Sequence, residues 1–228
     1  MTPGHAAKAT LWLILKDLTV EFRLRRAWPA MLFLGILLVF CLALQLDLPA
    51  TQKQQVGCGM LWLAVFFAGT LALDRSFAGE REEGCWRTLK TYPLSPTAVL
   101  VAKMAVNFVA LALLECVLIP AFVVFADVPL LARPLPLLFV ASLANLGFVA
   151  VGVLVSAATV GLSHQSSLLT LLQLPLMTPV ILAAAEATRL LPSDGLNEAW
   201  WRWIKLLAAF AVLFVTVGLL VFDFVVEE

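Results

Sequence analysis

The chain has 228 residues, 62% of them hydrophobic and 13% charged, with fifteen basic and fifteen acidic side chains that cancel formally. A soluble domain is about a quarter charged, so a soluble fold of this composition would lack the polar surface to cover itself. The balanced charge also carries no nucleic-acid signature.

A helix crosses a hydrocarbon core of about 30 Å with roughly 20 apolar residues. Six stretches read as such spans: 27–46, 56–73, 104–126, 135–163, 168–185 and 206–222. Their apolar runs are continuous, where β-barrel strands would alternate in polarity. The expectation is therefore an all-α polytopic membrane protein with six transmembrane helices, forming a single transmembrane domain over 1–228. The fourth stretch is too long for one straight crossing, so part of it tilts, kinks or emerges. Residues 164–167 leave room only for a tight hairpin before the fifth span, unless one of the two is re-entrant.

Residues 9–26 open the chain. Leu11, Leu15, Leu18 and Phe22 recur at helical spacing, while Lys16, Thr19, Arg23 and Arg26 occupy another face. That pattern predicts an amphipathic, basic interfacial helix, flanked by Trp12 and Trp28 as headgroup-level aromatics. A plain topogenic basic leader would explain the charge but not the periodicity. The first span is read as retained, since the leader is long and the apolar run exceeds a signal core.

Five Lys or Arg precede the first span, one (Lys53) follows it, five lie in 74–103 and one (Arg133) in the next loop. This is the positive-inside signature. It predicts the N-terminus and 74–103 in the cytoplasm, and six crossings return the C-terminus to the same side. The second half departs from the pattern, with three basic residues (Arg189, Arg202, Lys205) in the outside loop 186–205; the first half sets the orientation.

The stretch 74–103 carries a dense mix of both charge signs. Glu83 and Arg87 stand four apart in the favourable order on a helix, Trp86 and Leu89 supply apolar contacts, and Pro93 ends the segment. Ser95 and Pro96 read as cap and first position of the next helix. Phe77, Trp86 and Leu89 rimmed by charge mark an interaction site, where a merely solvated loop would leave them exposed without a partner.

Inside the third span Glu115 follows Asn107 and Leu111 on one face. An ionisable group at that depth is expensive and faces the bundle interior, as a coupling or substrate contact or as a structural hydrogen bond. The fourth stretch carries Ser142, Asn145, Val149, Gly152, Ser156, Thr159 and Ser163 on one stripe. Small and polar residues so arranged let helices approach closely, and a translocation surface is the functional alternative. Pro120, Pro175 and Pro179 permit kinks. In 186–205, Trp200, Trp201 and Trp203 read as an interfacial belt on a short helix, or else as an aromatic platform for a flat ligand or a partner.

Cys41, Cys58, Cys85 and Cys116 are scattered, which argues for small apolar packers rather than a disulfide framework. His5 and His164 are the two histidines, and a lone histidine in a turn is more often structural than a haem ligand. No P-loop, zinc signature or nucleophile elbow is visible, so no catalytic site is expected on this chain.

Several of these segments together resemble the CcmB family, membrane components of the cytochrome c maturation haem exporter that serve as permease subunits of an ABC transporter. The likeness centres on Leu71-Ala72-Leu73-Asp74-Arg75-Ser76-Phe77 and runs through Glu80-Arg81-Glu82-Glu83-Gly84 and Pro93-Leu94-Ser95-Pro96 to Val99 and Lys103. Leu146-Gly147-Phe148, Val160-Gly161-Leu162 and Leu174-Pro175-Leu176 through Pro179 extend it over nearly the whole chain. The resemblance implies a six-span, ABC-2-type exporter permease-like fold in the bacterial inner membrane, with an N-terminal interfacial helix and a cytoplasmic coupling helix. It implies ATPase-coupling contacts on Asp74, Arg75, Phe77, Glu80, Arg81, Glu82, Glu83, Gly84, Trp86, Arg87 and Leu89. It further implies a CcmA-like ATPase subunit, CcmC-like and CcmD-like membrane subunits, the haem chaperone E indirectly, and self-pairing in the complex. No cofactor is implied on this chain itself, haem being what the complex carries or handles. Glu115 and the Trp200–Trp203 cluster match no family pattern. Two other readings stay open: a non-transporting assembly factor whose ATP-driven motion releases a haem-loaded chaperone, and an ion-coupled secondary transporter using Glu115.

Overall fold

The computed structural model describes residues 3–24, 28–44, 49–74, 76, 96–158, 166–192 and 196–227. These form α1 (Pro3–Leu24), α2 (Trp28–Leu44), α3 (Ala50–Asp74), α4 (Pro96–Ala126), a 3-10 turn at Leu130–Ala132, α5 (Pro134–Ala158), α6 (Ser166–Leu190) and α7 (Glu198–Glu227). No strand occurs among the described residues, as the unbroken apolar runs require. The coupling helix expected within 74–103 lies outside the described residues; of the turn expected at 164–167, residues 164 and 165 lie outside them too, while Ser166 and Ser167 already belong to α6.

Gln52–Asp74, Pro96–Ala126, Pro134–Ala158 and Glu198–Phe222 are each long and apolar enough to cross a bilayer, and α2 is a shorter apolar helix. Within their most apolar stretches α3 and α5 are each 61% buried, against 22% for α7. Hence α3 and α5 stand in the middle and α7 lines the periphery. The helix α4 joins the two regions, packing on α1, α2, α3, α5 and α7. Exposed Phe33, Val124, Leu135 and Leu220 form part of an apolar exterior, which a lipid surround leaves without cost.

Close helix approach depends on glycine at two places. A Cβ on Gly152 of α5 would lie 2.6 Å from Leu73 Cδ1 of α3, and one on Gly69 of α3 would lie 2.5 Å from Leu111 Cδ2 of α4. The three central helices therefore touch through absent side chains, the small-residue packing that operates where apolar surface alone gives no preference between lipid and protein. Aromatics fill the wider gap between α3 and α5, with Phe148 6.3 Å from Trp62 and 6.1 Å from Phe66, centroid to centroid.

Helix ends follow local chemistry. Asp127 takes φ 55° just past α4, and its N–H donates to the Val123 carbonyl; this is the left-handed closure that Asp tolerates better than most side chains. At the start of α7 the Asn197 side-chain oxygen accepts the Trp200 N–H at 2.8 Å, an N-cap reinforced by Glu198 in the positive first turn. The helices α4 and α6 run through Pro120, Pro175 and Pro179.

The tryptophan cluster differs from expectation. Trp200, Trp201 and Trp203 stand on the opening turns of the long helix α7, not on a separate short helix. Trp200 is buried between Phe139 and Trp201, while Trp201 is exposed and Trp203 half-buried. Asn197 starts the helix early enough for it to run from the tryptophans, past Arg202 and Lys205, into the apolar stretch without a break.

Candidate functional site

Among the described residues, three polar clusters interrupt the apolar bundle. The first surrounds the two roots of 75–95, where α3 ends and α4 begins. Lys103, on the third turn of α4, extends its ammonium to Asp17 of α1 at 2.9 Å, with side-chain exposures of 9% and 13%. The exposed Lys16 ammonium lies 3.3 Å from the other Asp17 oxygen. One turn further along α4, the Asn107 amide donates two hydrogen bonds of 2.8 Å, to the Ser76 hydroxyl and to the Lys103 carbonyl. The Ser156 hydroxyl of α5 donates to the Asp74 carbonyl at 3.4 Å. Both loop roots are thus tied to each other, to α1 and to α5 by side chains of α1, α4 and α5 and of Ser76 just past α3.

The second cluster is a single pair in mid-bundle. The Asn145 amide of α5 donates to Glu115 Oε2 of α4 at 2.9 Å. Both residues are buried, and Glu115 Oε1 and Asn145 Oδ1 have no hydrogen-bond partner among the described residues. Along α4 the pair lies about 12 Å from Asn107, at 1.5 Å per residue. Asn107, Leu111 and Glu115 share the inward face, as their spacing predicts, but Asn107 serves the first cluster and not the second.

The third cluster lies at the opposite end, which we call the far end. The Trp62 indole N–H donates to the Thr188 hydroxyl at 2.9 Å, and that hydroxyl donates to the Ala184 carbonyl at 2.7 Å. The Gln54 amide donates to the Arg189 carbonyl at 2.7 Å, satisfying one of the orphan acceptors of the α6 C-terminus. Arg189 pairs with Glu186 one turn back at 2.7 Å, which places its positive charge at the negative end of the helix.

Of the expected coupling residues, Asp74 ends α3 and is exposed. Arg75, Phe77, Glu80, Arg81, Glu82, Glu83, Gly84, Trp86, Arg87 and Leu89 lie outside the described residues. On the α5 stripe, Asn145, Val149, Gly152 and Ser156 are buried, whereas Ser142 is exposed and returns its hydroxyl to the Leu138 carbonyl. Thr159 and Ser163 lie outside the described residues, as do Cys85 and His164. Cys58 packs in the core, and Cys41 and Cys116 sit on the outside of the bundle.

Sequence reasoning missed Asp17, Ser76 as an amide partner, and Trp62 with Thr188. Asp17 is the first acid in the chain, one of two (with Glu21) in a leader of five basic residues, and Lys103 is the last cation before the third apolar run. That complementarity was the available signal. The interfacial face also differs in detail: Leu11, Trp12, Leu15, Lys16 and Val20 point outward, whereas Leu13, Asp17 and Leu18 turn toward the bundle.

Long apolar helices with an apolar exterior and their polar groups folded inward define a polytopic α-helical membrane protein. Its residues 8–227 match the sequence pattern of the family described as CcmB protein, and the chain belongs to that family. Over 138 residues it is 36% identical to Heme exporter protein B of Rhodobacter capsulatus and 34% identical to Heme exporter protein B of Paracoccus denitrificans. Each match covers 59% of this chain and 62% of the relative. Heme exporter protein B of Pseudomonas aeruginosa is 28% identical over 193 residues, 81% of each chain.

Proposed function

We propose that this chain is a membrane subunit of an ABC transporter that exports or handles haem for cytochrome c maturation. The family match over nearly the whole chain, to relatives named as haem exporters, carries the reading. In it, six helices, α2 to α7, span the inner membrane in the ABC-2 manner. The helix α1 lies in the cytoplasmic interface, and residues 75–95 meet the ATPase subunit. CcmC-like and CcmD-like membrane subunits complete the complex, and ATP is hydrolysed on the partner.

The ties at the loop roots support this reading. A loop that receives force must transmit it, and a root held by backbone alone would bend. Here the roots are joined through Asn107–Ser76 and Ser156–Asp74, so a push on 75–95 moves α3, α4 and α5 as one. The basic residues of the leader and of 74–103 favour the cytoplasmic side for this end.

The test replaces the acidic run. E80A/E82A/E83A is expected to insert in the membrane at wild-type levels while co-purifying ATPase falls at least about tenfold, the scale of losing a few charge-assisted contacts. Wild-type recovery of the ATPase with this variant would show that the loop is not the docking element. Accessibility labelling that places Arg81 or Lys90 on the outer side would remove the reading altogether.

A further inference from the structure

We propose that Asp17 and Lys103 are a positioning pair through which α1 takes part in coupling: the bond makes the N-terminal helix move with the downstream root of the ATPase loop. The inference rests on the coupling reading above and adds to it a residue pair and a moving part.

Three observations carry it. Lys103 does not need Asp17 for solvation. It stands on the third turn of α4, helical side chains lean toward the N-terminus, and a lysine stem readily snorkels its charge to water. Its ammonium is instead held 2.9 Å from a carboxylate on another helix, with both side chains largely out of water. Joining the two helices offsets part of that desolvation cost.

The carbonyl of the same residue is fixed by Asn107, whose amide also holds Ser76 on the other root. Displacement of either arm therefore reaches Lys103, and through it α1. Finally, α1 divides its two faces between tasks. Asp17 turns inward, while exposed Leu11, Trp12, Leu15 and Lys16 form an apolar, basic outer face suited to the lipid interface. A helix resting in the interface and bonded to the loop root gives the moving root a footing against the membrane plane.

The experiment uses the whole complex in its native membrane. It reads four quantities for each variant: chain abundance, co-purified ATPase, ATP turnover and holocytochrome c formed. For D17N and K103Q the expected result is bound and active ATPase, and holocytochrome c per ATP reduced about tenfold or more beyond any fall in abundance, the scale of a coupling free energy. D17E should keep most of the yield, and the reversal D17K/K103D should restore much of it. Where a single variant fails to accumulate, D17N/K103M removes both charges of the pair at once and should accumulate better than the single variants while remaining uncoupled.

Wild-type yield per ATP in the single variants would overturn the pair's role while leaving the coupling reading intact. So would yields that track abundance alone, or a reversal no better than the singles. A wild-type chain that recovers no ATPase would overturn the coupling reading and the pair's role together.

Discussion

At the loop end the ties run through an ion pair and two polar side chains: Lys103 to Asp17, Asn107 to Ser76, and Ser156 to the Asp74 carbonyl. At the far end the ties between helices are neutral, with Trp62 on Thr188 and Gln54 on the Arg189 carbonyl, and the ion pair there, Arg189–Glu186, stays within one helix. The strength of a charged tie depends on its surroundings, because wetting it weakens the attraction severalfold. A buried neutral hydrogen bond has little to exchange for and holds one geometry. In the coupling reading the far end is therefore the rigid end and the loop end is the part that rearranges.

The largest expected effect is at the charged tie. Asp17→Ala removes a partner from a lysine side chain that is 9% exposed, and loss of one member of a buried pair costs about 3 kcal/mol or more. Thermal unfolding in detergent should show it as the greatest single loss among the polar ties. The contrast between the two ends breaks if a far-end variant lowers both stability and holocytochrome c per ATP by more.

Next comes the glycine contact that positions both ends. Gly152→Val on α5 would place its Cβ within 3 Å of three atoms of Leu73, which is itself buried. Overpacking of that kind costs about 1–3 kcal/mol, and Leu73→Ala in the same chain should recover part of it. Gly59 gives the opposite sign: no atom lies within 4 Å of its Cβ position, so Gly59→Ala should stabilise α3 by up to about 1 kcal/mol from helix propensity. Equal destabilisation at Gly59 and Gly152 would show that the α3–α5 approach is not limited by side-chain volume.

These residues also show what could be read from the sequence. The apolar runs and their unbroken pattern gave the all-helical class, because a bilayer imposes a length and a composition on each span. The α5 stripe was legible from Asn145 to Ser156 because small residues at helical spacing leave few alternatives to a packing face. Partners were not legible. Glu115 and Asn145 are 30 residues apart, and their meeting depends on the rotation of two helices that are apolar nearly all round. On α1 the apolar stripe could be read but not its partner: Leu11 and Leu15 are exposed, on the side an interfacial helix turns to lipid, while the meeting of Asp17 with Lys103 depends on how α1 and α4 pack.

At the far end, Thr188→Val deletes the acceptor of the buried Trp62 indole. An unpaired buried donor costs about 1–3 kcal/mol, less than the ion pair is worth to the loop end. Yield per ATP should follow the remaining folded protein and not fall beyond it. A disproportionate loss of coupling with T188V would place a moving contact at the end described here as rigid.

The smallest effect is expected in mid-bundle, and it separates structural from functional roles for Glu115. Hydrogen bonds between membrane helices average about 0.6 kcal/mol in double-mutant cycles and reach about 1.7. The Glu115–Asn145 bond joins α4 to α5 at 2.9 Å with one oxygen of each residue left without a described partner, so a cycle of Glu115→Leu and Asn145→Leu should return a coupling energy within that range. Glu115→Gln tests the charge alone, since a glutamine amide oxygen can still accept from Asn145 and its amide hydrogens can reach the Asn145 oxygen. If E115Q matches wild type in stability and in holocytochrome c per ATP, the residue acts as a hydrogen-bonding brace between the end that moves and the end that does not. If E115Q holds its stability but loses turnover, the carboxyl group has a chemical task in mid-bundle, and the division of labour between the two ends would have to include a third participant.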